Sequence, residues 1–224
     1  MAVSVDDNKL RIFKLSYNLI THVLIGIIIT ITSLFVFTNG IPLQGMNLHI
    51  LLCTVGYQLL MAEGFLCLVP ENSWTLTISL VNKRRIHWIL QVMGSSLAIA
   101  GSYIIMELKE AHWETLHGSY GLVALICTII SLVNGLTSLY AYELSKYIRI
   151  PPNLSKVPHI LIGVIAFVTS SISLCYGYDM YFFRNWLTPR LGTISIVFTA
   201  TFTSIIIINP MTLAINKIIN IFKK

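Results

Sequence analysis

The sequence predicts an all-α membrane protein with six transmembrane helices. Apolar residues make up 55% of the 224 residues and charged residues only 11%, a charged fraction well below that of soluble domains. A helix that spans a bilayer needs about 20 mostly apolar residues, and six runs of this kind follow one another along the chain. Because the loops between them are short, we expect one transmembrane domain over residues 1–224, with the lipid bilayer as its surroundings.

The bounds of the predicted spans follow the apolar runs. The first run is too long for the core of a signal peptide and lacks a small-residue cleavage site, so we expect this helix to be retained. The spans cover roughly residues 16–38, 47–69, 86–107, 117–142, 157–178 and 193–215. An aromatic belt is predicted at the non-cytosolic interface, at the end of the fifth span and just beyond it: Tyr176, Tyr178, Tyr181, Phe182, Phe183 and Trp186.

The fifteen basic residues are divided unequally between the two membrane faces. Lys109, Arg184 and Arg190 fall on one face, and the other twelve fall on the opposite face. The positive-inside rule makes the twelve-base face cytosolic, with both termini there. The net charge of +6 is therefore a topology signal, and nucleic acid is not an expected partner. The twelve bases are Lys9, Arg11, Lys14, Lys83, Arg84, Arg85, Lys146, Arg149, Lys156, Lys217, Lys223 and Lys224. The glycosylation sequon at Asn153 falls on this face, so we predict that it is unmodified.

The cysteines exclude several kinds of site. All four lie inside predicted spans without a Cys-x-x-Cys pair, so neither a disulfide framework nor a zinc site is predicted. The sequence also lacks a Cys-x-x-Cys-His motif for covalent haem attachment. Any haem is therefore expected to be held by ligation and packing alone. The cysteines are Cys53, Cys67, Cys127 and Cys175.

Four histidines fall at corresponding places in the middle four spans. His49, His87, His117 and His159 open the second, third, fourth and fifth spans. Because successive spans run in opposite directions, His49 and His117 are expected near the non-cytosolic face, and His87 and His159 near the cytosolic face. Ligand-capable side chains inside spans are costly and indicate function. Two neutral imidazoles fill the axial positions of a haem iron, so we predict a central four-helix bundle that holds two haems.

Small residues follow the histidines at helical spacing, on the same face of each helix. One interpretation is that they leave room for a flat macrocycle, with the far end of each stripe at the depth of the second haem. The alternative is that small residues let membrane helices approach closely. The stripes are Cys53, Gly56, Leu60, Glu63 and Cys67 after His49; Gln91, Gly94, Ala98, Gly101 and Ile105 after His87; Gly121, Ala124, Thr128, Ser131 and Gly135 after His117; and Gly163, Ala166, Ser170, Ser173 and Gly177 after His159.

These features resemble the cytochrome b561 family, in particular its short members, the cytochrome b561 domain-containing transmembrane reductases. The similarity runs over most of the chain, with Ile50 as a departure, since members often have proline at that place. The residues that carry it are His49 with Glu63, the run His87-Trp88-Ile89-Leu90-Gln91 behind basic residues, His117-Gly118, and His159 with Gly163.

The resemblance implies a transmembrane ascorbate-dependent reductase with two non-covalent haems b. The axial ligands would be the pairs His49/His117 and His87/His159. Ascorbate would be the cytosolic donor, with monodehydroascorbate radical or ferric iron as the acceptor on the other side. The resemblance also implies the endoplasmic reticulum or a cytoplasmic vesicle as the location, and a homodimer is an open possibility.

Basic residues beside the cytosolic histidine pair are expected to admit the donor. Ascorbate is an anion at neutral pH, and Lys83, Arg84 and Arg85 immediately precede His87. Two further bases, Arg149 and Lys156, precede His159. The alternative is that these bases only fix the orientation of the chain in the membrane.

Three other ionisable residues have two interpretations each. His112, in a non-cytosolic loop, either contributes to the acceptor site, as the resemblance implies, or is a solvated residue near the aromatic belt. His22 is expected to be packed or hydrogen bonded rather than a ligand. Glu63 either hydrogen bonds a ligand or accepts a proton near the cytosolic haem, or reaches the membrane interface.

Three classes of function remain at this stage. The preferred one is a transmembrane oxidoreductase that passes electrons between two haems. A polytopic transporter would use the histidines to bind a metal or relay protons. A haem-bearing anchor would dock a soluble dehydrogenase.

Overall fold

In the part of the chain that the structure describes, the fold consists of six long helices, one short α-helix and a 3-10 turn at Ser73–Thr75. The structure, a computed structural model, describes residues 5–140, 143, 146 and 152–223. The six helices long and apolar enough to cross a membrane confirm the predicted fold class. The helices are α1 (Val5–Thr38), α2 (Gly45–Leu66), α3 (Leu80–Leu108), α4 (Leu116–Leu139), α5 (Pro152–Tyr178), the short α6 (Tyr181–Leu187), and α7 (Pro189–Phe222).

Side-chain caps set several helix starts that hydropathy alone misplaces. Ser79 accepts a hydrogen bond from the backbone N–H of Asn82 and starts α3 six residues before the predicted bound of 86. The triplet Lys83, Arg84 and Arg85 therefore lies within the first turns of α3 and not in a loop. Similarly, Thr115 accepts from the N–H of Gly118 at the start of α4.

Helices α2 to α5 form a closed four-helix bundle. Helix α2 packs along α3 and α4 packs along α5, while α3 contacts α4 and the middle of α2 contacts α5. Helices α1 and α7 pack against each other on the outside, α1 also against α2 and α7 also against α5. The main apolar core lies between this outer pair and the bundle, around Ile28, Phe167 and Phe202. The interior of the bundle is lined instead by smaller and more polar residues.

The middle of α2 is a π-helix over Thr54–Met61. The wider turn buries two successive side chains, Tyr57 and Gln58, inside the bundle. The hydroxyl groups of Tyr57 and Thr128 form a hydrogen bond of 3.2 Å. The Gln58 amide forms hydrogen bonds with two serines of α5, Ser170 and Ser171. This buried polar layer separates the two ends of the bundle.

Part of the predicted aromatic belt lies in the core. Tyr178 and Phe183 are only 1% and 3% exposed, and the Tyr178 hydroxyl lies 2.8 Å from the hydroxyl of Thr32. Short helix α6 folds back against α7 and brings Phe183 onto Tyr178. Tyr181, by contrast, is 84% exposed, as a belt residue would be.

Candidate haem sites

The bundle brings the four predicted ligands together as two pairs. The ring centroids of His49 and His117 are 6.2 Å apart, and those of His87 and His159 are 6.3 Å apart. Both pairs join helices that do not pack side by side along their length: α2 to α4, and α3 to α5. The pairs lie at opposite ends of the bundle. We call the end with His87 and His159 the basic end and the end with His49 and His117 the far end.

The orientation of each imidazole is fixed by a backbone carbonyl. The Nδ1–H of His87 donates to Gly64 O at 2.6 Å, and that of His49 donates to Gly101 O at 2.9 Å. The same pattern holds for His117 with Ser173 O at 2.8 Å and for His159 with Ser131 O at 3.1 Å. With the proton held at Nδ1, the other nitrogen, Nε2, keeps a free lone pair. This is the arrangement that metal-bound histidines use.

The spacing within each pair fits two axial ligands of one metal ion. Two imidazoles that share a metal have centroids about 6.2 Å apart, because each metal–nitrogen bond is about 2.0 Å and each nitrogen lies about 1.1 Å from its ring centroid. The ring planes are at 89° in both pairs, which rotation about a common axis allows. Within the described ranges no three His, Cys, Asp or Glu side chains converge to hold a metal ion. Each pair therefore offers two protein ligands, the number a haem leaves for the protein.

Both interpretations of the small-residue stripes find support. Gly56 and Gly94 let α2 and α3 cross closely, since a methyl group at either would lie 2.6 to 2.7 Å from the carbonyl oxygen of the other. Other stripe glycines face the imidazoles. A methyl group at Gly135 would lie 3.1 Å from Cε1 of His159, and one at Gly177 would lie 3.4 Å from Nδ1 of His117. The far ends of the α4 and α5 stripes thus reach the opposite histidine pair, as predicted.

Bases from three helices approach one another at the basic end. Lys217 of α7 lies within electrostatic range of Lys156 of α5 and Arg84 of α3. Lys217 is not predictable as a site residue from the sequence, because it is distant in sequence from every histidine. A cavity of about 340 Å³ at this end is lined by His87, His159 and residues of α7.

The other predicted donor-binding bases are placed differently. The Lys83 side chain is buried, and its Nζ donates at 3.0 Å to Val69 O, just beyond the end of α2. Lys83 therefore stabilises a turn instead of facing solvent. Arg85 is exposed and hydrogen bonds Asn82. The last predicted base, Arg149, lies outside the described residues.

The far end has a cavity of about 240 Å³ beside His49 and His117. Residues of the loop between α3 and α4 complete its wall, including Lys109, His112 and Glu114. The His112 ring lies 5.7 Å from the ring of Trp113. The structure thus brings the predicted acceptor-site residue to the cavity that the second histidine pair borders.

His22 and Glu63 contact each other and neither contacts a predicted ligand. The Nδ1 of His22 lies 2.7 Å from Glu63 Oε1, and its Nε2 lies 2.9 Å from Asn72 Oδ1. The expectation that His22 is a hydrogen-bonded side chain is confirmed. Glu63 also accepts the indole N–H of Trp74 at 2.9 Å.

Comparison with known proteins identifies the family. A sequence model described as eukaryotic cytochrome b561 matches residues 48–184, more than half of the chain and a range that holds all four paired histidines. Curated relatives named Transmembrane reductase CYB561D2, from Homo sapiens, Bos taurus and Mus musculus, are each 26% identical over 167 residues, which is 73% of this chain and 73% of theirs. No solved structure matches the chain significantly. The chain therefore belongs to the eukaryotic cytochrome b561 family, haem b transmembrane reductases that transfer electrons across membranes.

Proposed function

We propose that this reductase moves electrons from ascorbate at the basic end to monodehydroascorbate radical or ferric iron at the far end. Two haems b would carry the electrons, one held by His87 and His159 and the other by His49 and His117. The observation that carries the proposal is the presence of two imidazole pairs, at metal-bridging separation, at opposite ends of one bundle. The twelve-base face is proposed to be cytosolic, in an endoplasmic reticulum or vesicle membrane.

The protein's contribution is to bind and orient these groups. Haem b, when bound, supplies the one-electron redox chemistry. The carbonyls of Gly64, Gly101, Ser131 and Ser173 hold the histidines in the tautomer that ligates through Nε2. Gly135 and Gly177 let the imidazoles of His159 and His117 pack close to a neighbouring helix, where an added methyl group would lie 3.1 Å and 3.4 Å from the rings.

The basic end is suited to an anionic donor. Arg84 lies three residues before His87 and Lys156 three residues before His159, about one helical turn in each case, and Lys217 lies within electrostatic range of both bases. Like charges held together repel one another, and an anion between them relieves that repulsion and is concentrated there. Ascorbate, an anion at neutral pH, fits this environment.

The far end is suited to a small polar acceptor. Its cavity combines an apolar wall with Lys109, His112 and Glu114 beside the His49/His117 pair. A cation and a carboxylate at one opening can hold either an organic anion or a ferric ion. Replacing His112 by alanine is therefore expected to slow electron delivery to the acceptor without changing reduction by ascorbate.

A visible spectrum of the purified protein, recorded with and without ascorbate, tests the proposal. We expect two low-spin b-type haems per chain and reduction of both by ascorbate alone. A protein that carries no haem, or whose haems ascorbate leaves oxidised, would contradict it. Reduction only after a partner dehydrogenase is added would favour a haem-bearing anchor instead.

The donor site has its own test. Changing Arg84, Lys156 and Lys217 together to glutamine should slow reduction by ascorbate by about tenfold at low salt and weaken its dependence on ionic strength. Reduction by a neutral donor and the haem spectra should stay unchanged. Arg85→Gln, one residue along α3, is the matched control and should behave as the parent. If the triple variant is reduced by ascorbate at the parental rate and with the parental salt dependence, these bases only orient the chain in the membrane.

A further inference from the structure

A cluster of four side chains at the basic end lies outside the two histidine pairs. His22 of α1 contacts Glu63 of α2 through Nδ1 at 2.7 Å and Asn72 through Nε2 at 2.9 Å. The other oxygen of Glu63 accepts the indole N–H of Trp74. The side chains of His22 and Glu63 are only 19% and 18% exposed. Two ionisable groups inside membrane-spanning helices require a functional explanation.

The hydrogen bonds of this cluster suit two protonation states of His22. Both ring nitrogens face oxygen atoms, Glu63 Oε1 and Asn72 Oδ1, which matches an imidazolium that donates from both nitrogens. The buried Nδ2 of Asn72 has no hydrogen-bond partner among the described residues. A 180° rotation of the Asn72 side-chain amide would let its Nδ2–H donate to Nε2 of a neutral His22. The neutral His22 would still donate from Nδ1 to Glu63. The cluster therefore satisfies His22 with or without its second proton.

One helical turn connects the cluster to His87. Glu63 contacts His22, and the next residue, Gly64, accepts the Nδ1–H of His87 on its carbonyl oxygen. Phe65 then stands edge-on to the same imidazole, with ring centroids 6.5 Å apart. A charge on the cluster thus lies on the order of 10 Å from His87. At that separation, one unit of charge added beside His87 changes the proton affinity of the His22–Glu63 cluster on the order of tenfold.

Other charged and titratable groups at the basic end make contacts of their own. On α1, Lys14 pairs with Glu71 at 2.9 Å. Beyond the end of α2, Cys67 donates to Gly64 O, and from α3 Lys83 donates to Val69 O. On α7, Lys217 lies near Lys156 and Arg84. In the described part of the chain, His22 has only Glu63 and Asn72 as hydrogen-bond partners.

We propose that the His22–Glu63 pair is a proton-binding site coupled to reduction at the His87/His159 pair, an inference that rests on the proposed function. One electron added at that site is balanced by one proton, taken from water at the basic end and bound at Nε2 of His22. When the electron moves on, the proton returns to the same side. The added negative charge favours protonation, and by linkage the bound proton favours reduction. The midpoint potential of this haem should therefore fall as the pH rises through the titration of the cluster.

Redox titrations of the haem-loaded protein between about pH 5.5 and 8.5 test the proposal. In the unaltered chain one haem should show a potential that falls with pH. His22→Gln should abolish that dependence, and Glu63→Gln, which removes the carboxylate that stabilises the imidazolium, should move it to lower pH. Glu71→Gln removes an equal charge from the same end and is the matched control; it should keep the dependence. An unchanged dependence in His22→Gln, or pH-independent potentials in the unaltered chain, would overturn the proposal.

A second variant keeps the test decisive if His22→Gln fails to fold. Asn72→Asp leaves two carboxylates around His22, which stabilises the imidazolium, so the pH dependence should move to higher pH. A dependence that stays in its original range in Asn72→Asp would also overturn the proposal. Failure of the proposed function looks different, because a chain without haem refutes both ideas, whereas a di-haem chain with pH-independent potentials refutes only this one.

Discussion

At the scale of single residues, the four paired histidines owe their orientation to main-chain atoms. Each imidazole donates from Nδ1 to a carbonyl on a neighbouring helix, and Gly64 and Gly101 are two of the four acceptors. A carbonyl oxygen is not lost by side-chain substitution, and its position depends only on the packing of its helix. The orientation of the rings is therefore as rigid as the bundle.

The pairing of the histidines gives a direct prediction. His87→Ala and His159→Ala should each remove the same haem, and His49→Ala and His117→Ala should each remove the other, because one axial ligand alone holds a haem poorly. Haem content and reduced spectra of the four purified variants measure this. His112→Ala should keep both haems. Retention of one intact haem in the combined variant His49→Ala, His87→Ala would disprove the pairing.

At the scale of helices, the close crossing of α2 and α3 determines where two of the histidines lie. The backbones approach at Gly56 and Gly94, which lie between His49 at one end and His87 at the other. His49 of α2 donates to a carbonyl of α3, and His87 of α3 donates to a carbonyl of α2. A change in their separation would therefore displace a ligand at each end of the bundle.

A methyl group at this crossing should destabilise the bundle. In Gly94→Ala the added carbon would lie 2.7 Å from Gly56 O and 2.8 Å from Met61 Cγ, so we expect a loss of about 1–3 kcal/mol. Thermal unfolding followed by haem absorbance measures the effect. Gly26→Ala in α1 is the matched control, since nothing lies within 4 Å of its added carbon. Equal stability of the two variants would show that the crossing tolerates a wider separation.

At the scale of the whole molecule, charge is segregated along the membrane normal. Described bases of α1, α3, α5 and α7 lie at the basic end: Lys14 pairs with Glu71 beyond the end of α2, and Arg84, Lys156 and Lys217 lie near one another. The cavity at the far end has Lys109 as its basic residue, beside Glu114. With the basic end cytosolic, as the positive-inside rule predicts, the donor would come from the cytosol and the acceptor from the opposite compartment.

The topology prediction is tested by glycosylation. The sequon at Asn153 should stay unmodified in cells, because we predict that it faces the cytosol. Trp113→Asn creates a second sequon with Thr115 in the far-end loop and should be glycosylated. A shift in electrophoretic mobility that a glycosidase reverses reports each site. Modification at Asn153 would exchange the two faces and with them the donor and acceptor sides.

The sequence by itself determined the six spans, the directions that pair His49 with His117 and His87 with His159, and the family. These follow from local quantities, because hydropathy over one helix and the order of helices suffice to place a residue at one membrane face. The expectation that both ends of the α4 and α5 stripes meet a histidine came from helical periodicity alone.

Only the tertiary structure decided which ionisable side chain meets which. The Lys83 side chain turns inward and donates to Val69 O, whereas Arg84, one residue later, lies within electrostatic range of Lys217 in the last helix. His22 finds Glu63 and Asn72 across 41 and 50 residues of sequence. Such contacts depend on the rotation of each helix about its axis and on the residue at which its N-terminal cap starts the helix. Both are set by packing between helices, so a single helix's sequence pattern does not contain them.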